Sequence, residues 1–200
     1  MARLLEKLGE EPITLSEAKQ QCYVDLYETD NDIVDALNRA VLGARRWAEN
    51  YTWRGLVYGK YEHSLRGFPR AEFEIPYPPL HSIEQITYQT EDGEQSLSES
   101  AFYVDDSSEP GQIGPVSDWP QALDRPGSVR VTYIGGFKQA AGESDPEYVV
   151  IPDDIKSAML ILVKFFFDHR DTLVPDRTVL LQLPVAVRAL LDPYTLQRAV

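Results

Sequence analysis

The sequence predicts an α+β chain, in which a helical bundle of three to four helices carries a small antiparallel β domain inserted between helices two and three. Two observations carry that reading. Apolar residues follow a helical pattern toward both ends of the chain but alternate with polar ones in the middle, bounded there by Pro, Gly and Asp-Gly breakers. Charge changes at about the same places: residues 71–124 hold 12 Asp or Glu and not one Lys or Arg. The expected domains are residues 1–55 with 150–200, forming the helical bundle with a C-terminal tail, and residues 56–149, forming the β insertion.

Taken in order, Thr14-Leu-Ser-Glu17 fits a capping box, with a hydroxyl accepting from the third helical N–H and a glutamate reaching back to the cap. A short helix to about Asp25 should follow. Asp30 can cap a second helix, in which Ile33, Leu37, Ala40, Val41, Ala44, Trp47, Ala48 and Tyr51 recur at steps of three and four. Its opposite face carries Asp35, Asn38, Arg39, Arg45, Arg46 and Glu49, as a solvated or subunit-facing surface would. Of the aromatics here, Trp47, Tyr51 and Trp53 are candidates for contacts with neighbours, although aromatics at helical spacing are more often core.

From about Leu56 the pattern turns to strands. Tyr61, His63 and Leu65 alternate with polar residues, and Phe73-Glu-Ile75 runs into the breaker Pro76-Tyr-Pro-Pro79. Ile83 and Ile86-Thr-Tyr88 lead to Asp92-Gly93, a hairpin turn favoured by that pair, and a return strand. Phe102-Tyr-Val104 and Val129 to Ile134 supply two more strands. Between them, Ser107 to Pro126 is rich in Pro, Gly, Ser and Asp and is expected to be largely loop, pinned to the sheet by Trp119-Pro120. Helix resumes after Pro152, which suits a first turn, with Asp153 and Asp154 favourable at the positive end of the dipole. Apolar side chains from Ile155 to Phe167 surround this third helix on nearly every side, so it is central to the core or shared with a neighbouring subunit. Pro184 to Pro193 allows about two more helical turns, and Tyr194 to Val200 trails off.

Composition narrows the function. There are 19 Lys+Arg against 32 Asp+Glu, a formal net charge of −13, which disfavours tight nucleic-acid binding through phosphate neutralisation. The first two helices resemble a helix-turn-helix in outline, yet the second offers only Arg39, Arg45 and Arg46 among several acids. A single cysteine, Cys22, excludes an intramolecular disulfide and a cysteine-built metal site, and fits folding in a reducing cytosol. Nothing approaches the roughly 20 apolar residues that cross a bilayer, and the N-terminal Met1 to Leu8 lacks an apolar core of signal-peptide length. No membrane partner is expected.

Catalytic signals are weak. His63, His81 and His169 lie far apart, and there is no nucleophile elbow, P-loop or dinucleotide fingerprint. The pairs Glu91-Asp92, Asp105-Asp106 and Asp153-Asp154 leave a carboxylate-dependent enzyme built on the β domain as the alternative. Adjacent acids on a loop are usually just solvated. No catalytic residue, metal or cofactor is assigned, and an interaction protein is the better reading.

The order of segments resembles the tailed-phage head-tail connector proteins, also called adaptor or head-completion proteins, in the branch with a β insertion, which also occur in gene transfer agents. The likeness runs from about Thr14 to Tyr194. It includes Thr14-Leu-Ser-Glu-Ala-Lys19, Asp30-Asn-Asp32, Glu49-Asn-Tyr-Thr-Trp-Arg-Gly-Leu56, Pro79-Leu-His-Ser-Ile83, Tyr103-Val-Asp105, Trp119-Pro120, Val150 to Ile161, Leu183-Pro184 and Leu190-Leu-Asp-Pro-Tyr194. Cys22-Tyr23 departs from the Leu-Arg pair of many relatives.

This resemblance implies a structural virion protein, made in the host cytoplasm and placed at the head-tail junction. It would form a homo-oligomeric ring of about twelve subunits. The ring would join the portal protein to a tail-side connector or stopper protein, with DNA passing through its channel without sequence-specific binding. Portal contacts are expected from Leu190, Leu191, Asp192, Pro193, Tyr194 and Leu196, ordering on assembly. Subunit contacts are expected from Arg39, Arg45, Arg46 and Trp53. The acidic middle would either line the channel, repelling phosphates, or form a solvated outer face.

Overall fold

Both helix starts legible in the sequence are present in the computed structural model, which describes residues 2–138, 150–169 and 184–196. Thr14 Oγ1 accepts from the Glu17 N–H at 3.2 Å while Glu17 Oε2 accepts from the Thr14 N–H at 2.8 Å, a complete capping box for α1 (Leu15–Gln21). Asp30 Oδ1 accepts from the Asp32 N–H at 2.9 Å and opens α2 (Asn31–Thr52). The first helix is shorter than expected because Lys19, buried, donates Nζ to the carbonyls of Leu26 and Glu28 and folds the following residues back as a loop.

The chain divides into two units, one of Met1–Glu10 with Val57–Val149 and one of Glu11–Leu56 with Val150–Val200. The second unit holds the helices: α1, α2, α3 (Asp153–Asp168) and α4 (Val185–Leu191), the last followed by a 3-10 turn over Asp192–Tyr194. Ala36, Leu37, Ala40, Val41, Ala44 and Ala48 form the buried line of α2, and Ile155, Ala158, Met159, Leu162, Val163 and Phe167 that of α3. Small residues on α2 let the large ones of α3 approach closely: a methyl at Gly43 would already touch Phe166 at 3.5 Å. Pro152 stands just before α3, at its cap, instead of within its first turn.

The first unit holds two antiparallel sheets. Strands β1 (Ala2–Lys7), β2 (Gly59–Leu65), β4 (Leu80–Thr90), β5 (Gly93–Ser96) and β8 (Val129–Gly135) form a five-stranded sheet in the order β1-β2-β8-β4-β5. Strands β3 (Phe73–Glu74), β6 (Phe102–Asp105) and β7 (Gln112–Pro115) form a three-stranded one in the order β3-β7-β6. In register, Tyr61 faces Tyr133 and Val131 faces both His63 and Ile86. The core between the sheets is Tyr61, Ile75, Ile86, Ile113, Val129, Val131 and Tyr133. Tyr133 donates its hydroxyl to the Pro76 carbonyl at 2.5 Å, and burial, with Tyr61 and Tyr77 close by, pushes its pKa far up. Trp119 does pin its loop: it stacks on Phe68 at 4.7 Å and donates to the Ala71 carbonyl.

Contrary to the expectation that residues 1–10 belong with the helices, Ala2–Lys7 is an edge strand paired to β2, with Leu4 against the sheet core. Its run Ala-Arg-Leu-Leu-Glu-Lys has no alternation of its own, and its partner lies more than fifty residues away. Ser107 to Pro126 is largely loop, as expected, and four of its residues form β7, because Ile113 is fully buried and Gly114 lets the strand pass close beneath Tyr103. The expected boundary near residue 149 and the Leu183 end of one matched segment lie outside the described residues.

Candidate interaction surfaces

The C-terminal segment expected to contact a partner is held against its own helices. Leu191 is fully buried in the helical core and Leu190 half-buried. Past α4, Asp192 Oδ1 accepts from the Tyr51 hydroxyl at 2.5 Å and the Tyr194 carbonyl accepts from Arg54 Nε at 2.8 Å. The Tyr194 hydroxyl donates to Asp154 Oδ2 at 3.2 Å, and the Leu196 N–H donates to the Thr52 carbonyl at 3.1 Å. The bond to Asp192 raises the Tyr51 pKa, with some desolvation adding to it. Tyr194 is raised by desolvation and by the nearby Asp154 charge. Through Leu196 the segment is thus bonded to its own helices. What it presents outward is Asp192 and Pro193, both exposed, flanked by half-exposed Leu190, Tyr194 and Leu196.

Of the four residues expected at subunit contacts, the structure separates one from the rest. Arg45 is 7% exposed. Its Nε donates to Glu11 Oε2 at 2.8 Å and its Nη1 to the Glu49 carboxylate at 3.0 and 3.1 Å. Glu49 also accepts from the Leu56 N–H at 3.2 Å, tying the chain leaving α2 to the same cluster. Burial raises the Glu49 pKa, and the Arg45 charge and hydrogen bonds offset only part of that. Arg45 is thus an internal clamp, corrected from an outward-facing residue. Arg39 and Arg46 are exposed on α2, and Trp53 is half-buried at the left-handed cap that ends the helix, φ +61°.

Sequence reasoning did not link Glu11, Arg54 and Asp154 to these partners. Each is polar and distant in sequence from its partner, so no spacing rule signals it. Trp47 and Tyr51 stack on each other with centroids 5.0 Å apart along one side of α2. Most of α3 is enclosed by its own unit, and Leu160, Ile161, Phe165 and Phe166 stay half-exposed.

The acids of the middle segment all lie in the sheet unit, and all twelve are exposed. Lys60 pairs with Glu84, Arg130 with Glu94 and Arg66 with Asp124. Glu91 and Asp92 sit at the β4–β5 turn. Asp105 accepts from the Ser107 hydroxyl and N–H, which holds its pKa below the usual carboxylate value. Among the described residues no three His, Cys, Asp or Glu side chains come together as a metal site. His81 donates Nε2 to the Gly136 carbonyl at 2.8 Å, and His169 pairs Nδ1 with the Phe165 carbonyl at 2.7 Å, so each serves its own backbone. Convergent, desolvated carboxylates, which the enzyme alternative requires, are not found in this set.

No family model matches the chain, and no curated protein matches it in sequence. Solved structures match in fold. A chain in a structure described as the neck of an empty GTA particle, computed with C6 symmetry, aligns with a TM-score of 0.76 and 15% identity over 100% of this chain and 97% of that one. The chain shares its fold with a component of that neck. A chain from the virion of a native gene transfer agent (GTA) particle aligns at 0.70 and 12% identity. One from the neck of the native particle, computed with C12 symmetry, aligns at 0.70 and 14%, both over the same shares of each chain.

Proposed function

We propose that the chain is a structural, non-catalytic component of a virion neck in a phage or gene transfer agent. It would form an adaptor ring that joins the portal protein to the tail-side connector or stopper protein and continues the DNA channel. The observation that carries this is the end-to-end fold match with a neck chain, which takes in both units and 97% of the other chain. A fragment shared among unrelated proteins would not extend over both. The C6 and C12 symmetries of the neck structures support a ring, and twelve copies is the expected number. The net charge of −13 suits a wall past which DNA slides, repelled and not read.

Within this reading Leu190, Pro193, Tyr194 and Leu196 form the portal-facing surface. Asp192, exposed and latched to Tyr51, belongs to the same surface, and Leu191 supports it from the core. Arg39, Arg46 and Trp53 remain the subunit-facing set. The twelve exposed acids belong either to the channel wall or to the outer face.

The test is size-exclusion chromatography with light scattering on the chain, its cognate portal and their mixture. Co-elution with a mass gain close to twelve chains per portal ring is expected. Failure to co-elute at tens of micromolar, far above the concentration a stable interface of standard size needs, would remove the adaptor reading. Alanine at both Tyr194 and Leu196 should weaken that co-elution, and unchanged binding would dismiss the C-terminal surface.

A further inference from the structure

The loop between α1 and α2 is fixed in place yet turns large side chains to water. Lys19 Nζ holds the Leu26 carbonyl at 3.0 Å and the Glu28 carbonyl at 2.7 Å from inside. Glu28 Oε1 accepts from the N–H groups of Thr29 and Asp30, both at 2.8 Å, and Asp25 Oδ1 accepts from the Tyr27 N–H at 2.8 Å. On this braced loop Tyr23 and Tyr27 are each 91% exposed and Leu26 is 49% exposed. Tyrosines presented on an already ordered backbone lose little entropy on binding, which is why they dominate contact hot spots. Residues 23–32 also carry Asp25, Glu28, Asp30 and Asp32 with no Lys or Arg.

A surface of complementary chemistry lies on α2. Arg39, Leu42 and Arg46 follow at steps of three and four and so form one stripe along the helix. Both arginines are exposed, and Leu42 is 40% exposed. Leu42 sits eleven residues beyond Asn31, about 16 Å along the axis at 1.5 Å per residue. Loop and stripe both face water, so within one chain they do not cover each other.

We propose that loop 23–30 of one copy docks on the Arg39–Leu42–Arg46 stripe of the next copy. Guanidinium planes stack on the two tyrosine rings, Leu26 meets Leu42, and the loop's carboxylates neutralise the arginines. The two patches differ, so the contact is head-to-tail, the kind that closes into a ring instead of stopping at a dimer. The proposal rests on the ring reading above and names the surfaces that close it.

Cysteine cross-linking with a short bis-maleimide, on portal-bound chain, tests it; Cys22 is buried and stays out of reach. A chain carrying both Tyr27→Cys and Leu42→Cys should give a ladder of covalent oligomers extending to the full ring. A mixture of the two single variants should give dimers and nothing larger, since each pair can be joined on one side only. A portal-bound ring of the double variant that yields no ladder overturns the contact. A second measurement covers failure of that variant to assemble. Arg39→Glu with Arg46→Glu should lower ring occupancy on the portal about tenfold with unchanged melting, as like charges meet across the contact, whereas Arg66→Glu in the sheet unit should not. Undiminished occupancy again overturns the contact. If the unsubstituted chain itself fails to bind the portal, the ring reading falls and takes this contact with it.

Discussion

The helical unit and the sheet unit are held together by different chemistry. In the helical unit, polar side chains fasten segments far apart in sequence: Arg45 to Glu11, Lys156 to Glu17 at 2.6 Å, Tyr51 to Asp192, Arg54 to the Tyr194 carbonyl. In the sheet unit an aromatic and β-branched core does that work, with Tyr61 and Tyr133 stacked 5.6 Å apart, and its ion pairs Arg66–Asp124 and Arg130–Glu94 stand in solvent. Non-directional burial tolerates small movements, whereas a buried charge pair is defined by its geometry. The lesson is that the unit carrying the proposed assembly surfaces is also the one whose terminal segments are fixed by specific bonds.

The sharpest way to break this comparison is Arg45→Ala. It leaves Glu49 buried without its cation, and a loss of about 3–5 kcal/mol in urea unfolding is expected. A loss below about 1 kcal/mol, the level of an exposed pair, would erase the distinction. Next comes Gly59→Ala. The added methyl would lie 2.6 Å from the Glu6 carbonyl oxygen and 2.7 Å from a Leu4 methyl, so β1 must move. A cost of about 1–3 kcal/mol is expected, together with faster amide exchange in residues 3–7.

Tyr51→Phe removes the bond to Asp192 and should cost about 0.5–1.5 kcal/mol. Exchange at the Leu196 amide should speed up while that of the β8 amides stays unchanged. The smallest effects belong to Arg66→Ala and Arg130→Ala, each expected to change stability by less than about 1 kcal/mol and to lose even that in high salt.

Acid titration sharpens the contrast within the helical unit. Burial pushes the Glu17 pKa up, but the Lys156 partner and the Thr14 bonds outweigh it, and the net shift is downward. A depressed folded pKa stabilises above the unfolded value, about 4.3, and that stability is lost as pH falls through the folded value. Glu49 is raised instead, so its folded form holds the proton more tightly, and acidification between the unfolded and folded values relieves a cost. Glu17→Gln should therefore flatten the acid loss of stability, and Glu49→Gln should steepen it, measured as melting temperature against pH. Identical pH profiles for the two variants would contradict these assignments.

Local signals were readable where the physics is local. The capping box at Thr14, the Asp30 cap, the Asp92-Gly93 turn and the alternation from Val129 to Ile134 each appear as the sequence reads. What was not legible depends on partners distant in sequence. Periodicity puts Arg45 on the polar side of α2, and only Glu11 and Glu49 make its burial possible. Strand β1 has no alternation and exists because β2 offers a free edge. The docking of Asp192 to Leu196 needs Tyr51, Thr52, Arg54 and Asp154 already placed by two other helices. For the candidate surfaces, the C-terminal segment was found by resemblance, while exposed Tyr23 and Tyr27 emerge only once the loop around Lys19 is seen.

The most direct test of the central claim is cryo-electron microscopy of the chain mixed with its cognate portal, beside the portal alone. The account predicts one added ring at a single end of the portal, into which twelve copies of this fold fit with Pro193 and Leu196 toward the portal. A portal without added density, or copies scattered over its outer wall, would contradict it.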